Sequence, residues 1–138
     1  MKQEEHLALL FLKIGKEFKK SFSSNDVKLD CSHKDMRIFE FLYSGPKSMK
    51  ELAEEMNLTP GSMTTAIEKL VQQKFVKRVY DKEDRRKVSI DLLQKGRKIA
   101  EHMNLSSLTI SNEMLDNLTS KERETLLNLL EKSTSSFN

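Results

Sequence analysis

The 138 residues are enough for one compact domain with its own core, and too few for two domains of ordinary size. Charged residues make up 33% and hydrophobic residues 37% of the chain, which has no tryptophan and is typical of a helix-rich globular protein. No run approaches the roughly 18 uncharged apolar residues of a membrane span, and the apolar run 7–12 lacks a basic leader. We therefore expect a cytoplasmic protein that does not associate with a membrane.

The net charge of +3 is unevenly distributed. Residues 1–58 carry ten basic and ten acidic side chains, residues 59–98 carry eleven and five, and residues 99–138 carry three and six. A basic segment between neutral and acidic ones is the electrostatic footprint of a domain that touches phosphates. A solvated basic loop would show the same charge pattern.

An amphipathic helix is predicted for the first two dozen residues. Its apolar side chains recur at spacings of three and four, which places them on one stripe: Leu7, Leu10, Phe11, Ile14, Phe18 and Phe22. Leu9 and Leu12 widen the stripe beyond what one neighbouring helix of a small domain would cover. This width favours a subunit interface over an ordinary core helix.

A second helix is predicted after the polar run 23–26. Ser32 is a suitable N-cap and Asp35 an acidic residue in the first turn, so the helix should run from about 33 to 43. Its expected core face comprises Met36, Phe39, Leu42 and Tyr43. The following Gly-Pro pair should end it.

Two short helices should follow in close succession. Ser48 and Glu51 have the spacing of a capping box, and the helix that they begin should end near Asn57. Thr59 then stands as an N-cap with Pro60 in the first helical position, where its missing N–H costs nothing. Two helices joined by so short a turn are a candidate helix-turn-helix.

The second helix of this pair has two different faces. Its buried face should comprise Met63, Ala66, Ile67, Leu70 and Val71, which follow helical spacing. The opposite face is small and hydroxyl-rich at its N-terminal end, which would let it approach a DNA groove closely. The candidate DNA-contacting residues are Thr59, Gly61, Ser62, Thr64, Thr65 and Lys69. An exposed polar helix face without a partner would show the same pattern.

A β-hairpin is predicted for residues 76–92. Val88, Ile90 and Leu92 alternate with polar residues, as one strand of a half-buried hairpin does. The charged loop before them would present a basic tip to the DNA backbone or minor groove. The candidate DNA-contacting residues of the hairpin are Arg78, Asp84, Arg85, Arg86 and Lys87.

Two apolar, net acidic helices are predicted for the rest of the chain, the second beginning at a capping box at 119–122. Both are suited to packing against the first helix or across a dimer axis. The sequence thus predicts a mainly α (α+β) fold with one domain at 1–138. Within it we expect a winged helix-turn-helix lobe at 30–98 and dimerisation helices at 1–24 and 99–138.

Four short segments and a downstream glycine carry a resemblance to a known family. The segments are Thr59-Pro60-Gly61-Ser62-Met63-Thr64, Leu70-Val71, Val76-Lys77-Arg78 and Asp84-Arg85-Arg86-Lys87-Val88, with Gly96 downstream. They resemble the MarR family of winged helix-turn-helix bacterial transcription regulators. The likeness covers nearly the whole chain and is most specific in the wing, from Arg78 through Asp81 to Arg86.

The resemblance implies a homodimeric regulator of transcription that binds an inverted-repeat operator in double-stranded DNA, as a repressor released by a small effector. It implies a recognition helix in each of two major-groove half-sites and Arg86 in the neighbouring minor groove. Asp84 would hold the guanidinium of Arg86 by charge-assisted hydrogen bonds, unless both only stabilise the wing tip. Family analogy suggests a small-molecule or acyl-chain effector, which no residue identifies.

Two residues depart from the family pattern. Lys74 stands where glycine usually ends the recognition helix, so it should adopt a left-handed cap at a cost of roughly 1 kcal/mol, unless the helix ends differently. Leu93 stands where threonine is usual and removes a hydroxyl that could cap the next helix.

Other functions have weaker support. Cys31, the single cysteine, precedes a predicted helix N-terminus and is a candidate oxidant sensor, although a plain loop or buried cysteine fits as well. Cys31, His33, Glu40 and His102 have the donor types of a zinc site without its spacing, and we expect no metal and no cofactor. The sequence has no phosphate loop, nucleophile motif or catalytic cluster, which disfavours an enzyme. The remaining alternative is a winged-helix module that binds a protein or lipid carrier instead of DNA.

Overall fold

The computed structural model describes residues 1–23 and 31–137. The predicted break at 24–26 lies outside them, as does the side chain of Phe22. In chain order the elements are α1 (Gln3–Ser23), α2 (His33–Leu42), β1 (Lys47–Ser48), α3 (Met49–Met56), α4 (Pro60–Gln72), β2 (Val76–Tyr80), β3 (Val88–Leu92), α5 (Gln94–Asp116) and α6 (Ser120–Thr134). None of these helices is both long and apolar enough to cross a membrane.

The chain divides into two compact units. The helix-hairpin unit, Asn25–Leu105, contains α2 to α4, the three strands and the first half of α5. The terminal unit combines Met1–Ser24 with Ser106–Asn138, and so contains α1, the rest of α5 and α6. The assignment of the terminal helices to dimerisation stays a prediction.

Reciprocal capping boxes begin α2 and α3. The box of α3 was predicted, whereas for α2 the sequence predicted only the N-cap Ser32 and an acidic residue in the first turn. Ser32 N–H donates to Asp35 Oδ2 at 2.9 Å, and the Asp35 N–H donates back to Ser32 Oγ at 3.2 Å. Ser48 and Glu51 repeat the arrangement at 2.8 and 3.1 Å. A third box at 119–122 begins α6. Each box satisfies backbone N–H groups that the first helical turn would otherwise leave unpaired.

The turn of the helix-turn-helix is short because both of its ends are capped. Asn57 ends α3 in a left-handed conformation with φ 52°, which asparagine tolerates better than most residues. Thr59 then caps α4 by accepting the N–H of Ser62 at 3.2 Å, with Pro60 in the first helical position. The predicted helix-turn-helix is therefore present.

The sheet has one strand more than the sequence predicted. The predicted hairpin forms from β2 and β3, which pair antiparallel with Arg78 opposite Ile90. The two residues of β1 pair with the other edge of β3, Lys47 opposite Ile90, and give the order β1-β3-β2. A two-residue strand is too short to produce an alternating pattern, so only its partner reveals it.

The core of the helix-hairpin unit follows the predicted stripes with one correction in α2. Tyr43, predicted to face the core, is the C-cap and is 38% exposed, whereas Ile38 is fully buried. The buried stripe of α2 begins one residue earlier than predicted, at Asp35, and runs through Ile38 and Phe39 to Leu42. The largest fully buried side chains of this unit are Phe39, Ile38, Leu42, Leu52, Met63, Ile67, Leu70, Ile90 and Val76.

The C-terminus of α4 ends in a Schellman motif that sets the start of the hairpin. Lys74 is left-handed with φ 62°, as predicted, and Phe75 N–H donates to Leu70 O at 3.0 Å. The Nζ of Lys95 donates to Gln73 O at 3.3 Å and lies 4.2 Å from the ring centre of Phe75. The positive charge of Lys95 thus stabilises the negative end of the α4 dipole.

Gly96 makes the close approach of α5 to this turn feasible. A Cβ at Gly96 would lie 2.5 Å from the carbonyl oxygen of Phe75. The same oxygen accepts the N–H of Leu93 at 2.9 Å, so it is fixed from two sides. Only glycine leaves room for this crossing of two backbones.

The terminal unit leaves much of its apolar surface uncovered. No residue of α6 is buried, although the helix contains four leucines, and Leu127 and Leu129 are more than half exposed. A groove of about 510 Å³ runs between the three helices of this unit. Its apolar lining comprises Leu7, Leu10, Phe11, Ile14, Ile110, Met114, Leu126 and Leu130.

Candidate nucleic-acid interface

The N-terminal half of α4 exposes every residue predicted there to contact DNA. Thr59, Gly61, Ser62, Thr64 and Thr65 are all exposed, and they occupy the helix cap and the first turns. A Cβ added at Gly61 would meet nothing within 4 Å, so this stretch of the surface is open. The surface is small enough for a groove edge to approach the α4 backbone.

The three threonines of this surface already donate their hydroxyl protons, that of Thr59 to Ser62 Oγ at 2.9 Å. Thr64 Oγ1 donates to Pro60 O at 2.9 Å, and Thr65 Oγ1 donates to Gly61 O at 3.2 Å. A hydroxyl has one proton and two lone pairs, so these threonines retain acceptor lone pairs and methyl groups. Such groups can accept from base amino groups and pack on thymine methyls.

Asp81 organises the loop at the hairpin tip. Its Oδ1 accepts the N–H of Glu83 at 2.8 Å and that of Asp84 at 3.1 Å. These two backbone hydrogen bonds, Glu83 first, hold the pKa of the Asp81 carboxyl below its usual value. The N–H of Asp81 donates to Lys87 O at 3.0 Å, which closes the loop.

Asp84 holds Arg86 at the exposed end of that loop. Its Oδ1 accepts both the backbone N–H and the Nε of Arg86 at 3.1 Å, and its Oδ2 accepts the Nη2 at 3.4 Å. These contacts, the side-chain one above all, lower the pKa of Asp84. The Arg86 side chain is nevertheless 93% exposed, so the guanidinium is oriented without being covered. The predicted pairing is present.

The other basic residues of the hairpin differ in their exposure. Arg85 and Lys87 are exposed, whereas Arg78 is half-buried on β2. A groove of about 760 Å³ lies beside the hairpin, and Lys50, Arg86 and Lys87 line it. Lys50, near the start of α3, was not predicted as part of the surface because the sequence gives no sign that α3 begins beside the hairpin.

Lys69 is not a free cation on the outer face of α4. Its Nζ lies 3.4 Å from Asp35 Oδ2, and its side chain is 53% exposed. Sequence reasoning identified Asp35 only as a residue of the first turn of α2. The two residues are 34 positions apart, so no local sequence pattern predicts the pair.

The predicted sensor and metal residues do not form a cluster. Cys31 is half-buried directly before the cap of α2, His33 and Glu40 are exposed, and His102 is half-buried in α5. Among residues 1–23 and 31–137, no three His, Cys, Asp or Glu side chains are placed to hold a metal ion. The oxidant-sensing role of Cys31 stays a prediction.

A helix-turn-helix followed by an antiparallel hairpin within one compact unit defines a winged helix-turn-helix protein. Residues 41–88, which hold the helix-turn-helix and most of the wing, match the family model described as "MarR family". The helix-turn-helix and the wing of this chain are thus similar to those of the MarR family.

Sequence relatives agree with this assignment. YwhA of Bacillus subtilis (strain 168), named as a helix-turn-helix-type transcriptional regulator, is 34% identical over 88 residues, which are 64% of this chain and 63% of YwhA. Two other regulators of that organism match over 62% and 61% of their length, so the chain spans slightly less than two thirds of these relatives.

Solved structures show the fold. Streptococcus pneumoniae FabT, solved in complex with DNA, has a TM-score of 0.79 at 22% identity and covers 96% of this chain and 92% of its own. S. aureus MepR, bound to ethidium bromide, has a TM-score of 0.74 at 16% identity and covers 100% and 98%. The mainly α winged-helix fold predicted from the sequence is confirmed.

Proposed function

We propose that the protein is a homodimeric transcription regulator that binds inverted-repeat operators in double-stranded DNA. One observation carries the proposal: the unit that exposes the small, hydroxyl-rich start of α4 also presents Arg86, fully exposed and oriented by Asp84. YwhA is named as a transcriptional regulator and FabT was solved with DNA, which agrees with this reading.

In this proposal α4 is the recognition helix and lies in the major groove. Gly61, Ser62, Thr64 and Thr65 would approach base edges, and the two threonines would present their methyl groups and acceptor lone pairs to the bases. Arg85, Lys87 and the newly identified Lys50 would neutralise phosphates and make binding salt-dependent.

The wing would place Arg86 in the adjacent minor groove. A narrow A·T-rich minor groove concentrates negative potential and attracts an inserted guanidinium. Asp84 restricts the rotamers of Arg86 before DNA arrives, which reduces the entropy lost on binding. The carboxylate itself would not contact DNA.

A second copy of the chain would cover the terminal unit. The exposed leucines of α6 and the groove beside α1 leave a larger apolar surface than a monomer ordinarily exposes. Sedimentation at micromolar concentration should give about twice 16.0 kDa, and a clean monomer would exclude this arrangement. A two-fold dimer would select half-sites about 10 base pairs apart.

Fluorescence anisotropy with an operator selected from random DNA tests the assignment of the wing. Arg86→Ala should weaken binding about tenfold, most where the flank is A·T-rich. Asp84→Ala should stay folded and weaken binding in the same direction, because the guanidinium loses its orientation. Lys121→Ala, which removes an exposed cation of α6, is the matched control and should change affinity little. Unchanged binding by Arg86→Ala would overturn the assignment.

The same titration separates DNA binding from the alternative of a protein- or lipid-carrier-binding module. A DNA-binding dimer should lose affinity steeply between 50 and 200 mM salt. A module of the other kind should show no saturable binding at either concentration. Repression and its release by a small-molecule or acyl-chain effector are further parts of the proposal. The ethidium bound to MepR is a ligand of that protein and does not identify an effector for this chain.

A further inference from the structure

A buried carboxylate lies beneath the recognition helix. Asp35 is 3% exposed, and among the described residues only Ser106, in the terminal unit, is another buried polar residue. Its Oδ2 accepts the N–H of Ser32, but one hydrogen bond does not offset the cost of removing a carboxylate from water.

The second partner of Asp35 comes from α4. Lys69 Nζ reaches Asp35 Oδ2 at 3.4 Å, across 34 residues of sequence, and joins the start of α2 to the third turn of α4. Lys69 is half-exposed and Asp35 is not, so the lysine extends from the surface down to the acid.

We propose that Asp35 and Lys69 form a clamp that fixes the rotation of α4 about its own axis, and so aims its outer surface at the DNA. Lys69 is then a positioning residue and makes no phosphate contact. This inference rests on the proposed function, because it concerns the same recognition helix.

The geometry favours positioning over a phosphate contact. A phosphate would compete with the Asp35 carboxylate for the Lys69 ammonium group, and Asp35 has no other charged partner among the described residues. The buried carboxylate would therefore lose its counter-charge whenever DNA binds. Lys69 is also ten residues, nearly three turns, beyond the cap that begins the open surface at Thr59. The buried Met63, Ile67 and Leu70 determine which side of α4 faces outward, and the contact with Asp35 adds a polar constraint on the rotation of the helix.

Three variants test the clamp against a matched control. Asp35→Asn keeps an acceptor for Ser32 and removes the charge, Lys69→Met keeps length and removes the cation, and the double variant removes both. Glu51→Gln is the control, because Glu51 is the same capping-box position of α3, is exposed and has no ion pair with a described residue. Binding is measured at a temperature at which every variant is folded.

Each single variant should weaken DNA binding about three- to tenfold with an unchanged salt slope. The double variant should have the same affinity for DNA as the single variant that binds less tightly, or a higher one. Glu51→Gln should stay within about twofold of wild type. If Lys69 instead contacts a phosphate, Lys69→Met should lower the salt slope by about one unit per protomer, and Asp35→Asn should bind as tightly as wild type or tighter. Either of these results would overturn the clamp.

A measurement without DNA distinguishes failure of the clamp from failure of the proposed function. The methyl NMR signals of Thr64 and Thr65 should shift in Asp35→Asn and Lys69→Met and stay in place in Glu51→Gln. Unmoved signals in both clamp variants would refute the positioning role. If wild type binds no DNA at low salt, the proposed function fails, and the methyl signals alone decide whether the clamp exists.

Discussion

Replacing Lys74 by glycine should stabilise the protein, although it removes a side chain. Lys74 has φ 62° at the end of α4, where its Cβ crowds the following carbonyl group. Its side chain is exposed, and Schellman hydrogen bonds of the backbone hold the turn in place. The cost of the left-handed conformation therefore has no compensating side-chain burial.

Two opposing effects set the expected magnitude. Relief of the left-handed conformation contributes roughly 1–2 kcal/mol. Glycine also raises the conformational entropy of the unfolded chain, which costs about 0.4–1 kcal/mol. The free energy of unfolding should therefore rise by about 0.5–1 kcal/mol, and the melting temperature by about 2–4 °C.

Thermal and urea unfolding at one fixed protein concentration would measure this difference. Lys74→Ala is the matched control, because alanine loses the charge and keeps the Cβ, and it should change stability by less than about 0.5 kcal/mol. If Lys74→Gly is no more stable than Lys74→Ala, the backbone strain does not limit stability and the reasoning is refuted.

Gly96→Ala should destabilise by about 1–3 kcal/mol in urea unfolding, since its Cβ would lie 2.5 Å from Phe75 O, and wild-type stability would contradict that close approach. In an NMR titration Asp84 should titrate below the ordinary value of 3.8, and Arg86→Ala should raise its pKa. Because folding lowers the pKa of Asp84, its ionised carboxylate stabilises the fold above about pH 3.8, and this stabilisation disappears as pH falls through the pKa of the folded protein. An unchanged titration midpoint of Asp84 in Arg86→Ala would refute the pairing. If Cys31 senses oxidants, peroxide should release DNA from wild type and not from Cys31→Ser, and equal release would exclude the thiol.

Features set by neighbouring residues could be predicted from the sequence. The capping boxes depend on side chains three positions apart, and the hydrogen bonds between Asp84 and Arg86 on side chains two apart. The left-handed Lys74 was one of two outcomes expected because the resembling family usually has glycine at this position. In the capping boxes and in the pair of Asp84 and Arg86, the sequence separation itself fixes the geometry, so local patterns suffice.

Features set by distant pairings could not be predicted in this way. Strand β1 exists because Lys47 meets Ile90, and two residues alone give no periodic signal. The pair of Asp35 and Lys69 joins two helices that are 34 residues apart in sequence, so only the folded chain shows its burial and its distance. Sequence reasoning gave Lys69 the role expected of an exposed cation because the buried acid beneath it has no local signature.

Substitution of Gly61 distinguishes a role of this residue in DNA contact from a role in folding. It is the second residue of α4, and a Cβ there would meet nothing within 4 Å in the protein. No backbone strain or close approach within the chain requires glycine at this position. Gly61→Ala should therefore raise the stability of the helix by about 0.5–1 kcal/mol.

If the start of α4 lies in the major groove, the same Cβ would meet DNA. Gly61→Ala should then weaken operator binding about fivefold or more while its melting temperature rises. Gly15→Ala in α1, where a Cβ also has open space, is the control and should gain stability without losing affinity. Wild-type affinity in Gly61→Ala would place the start of α4 away from the groove. A fall in stability would instead show that the glycine serves the fold.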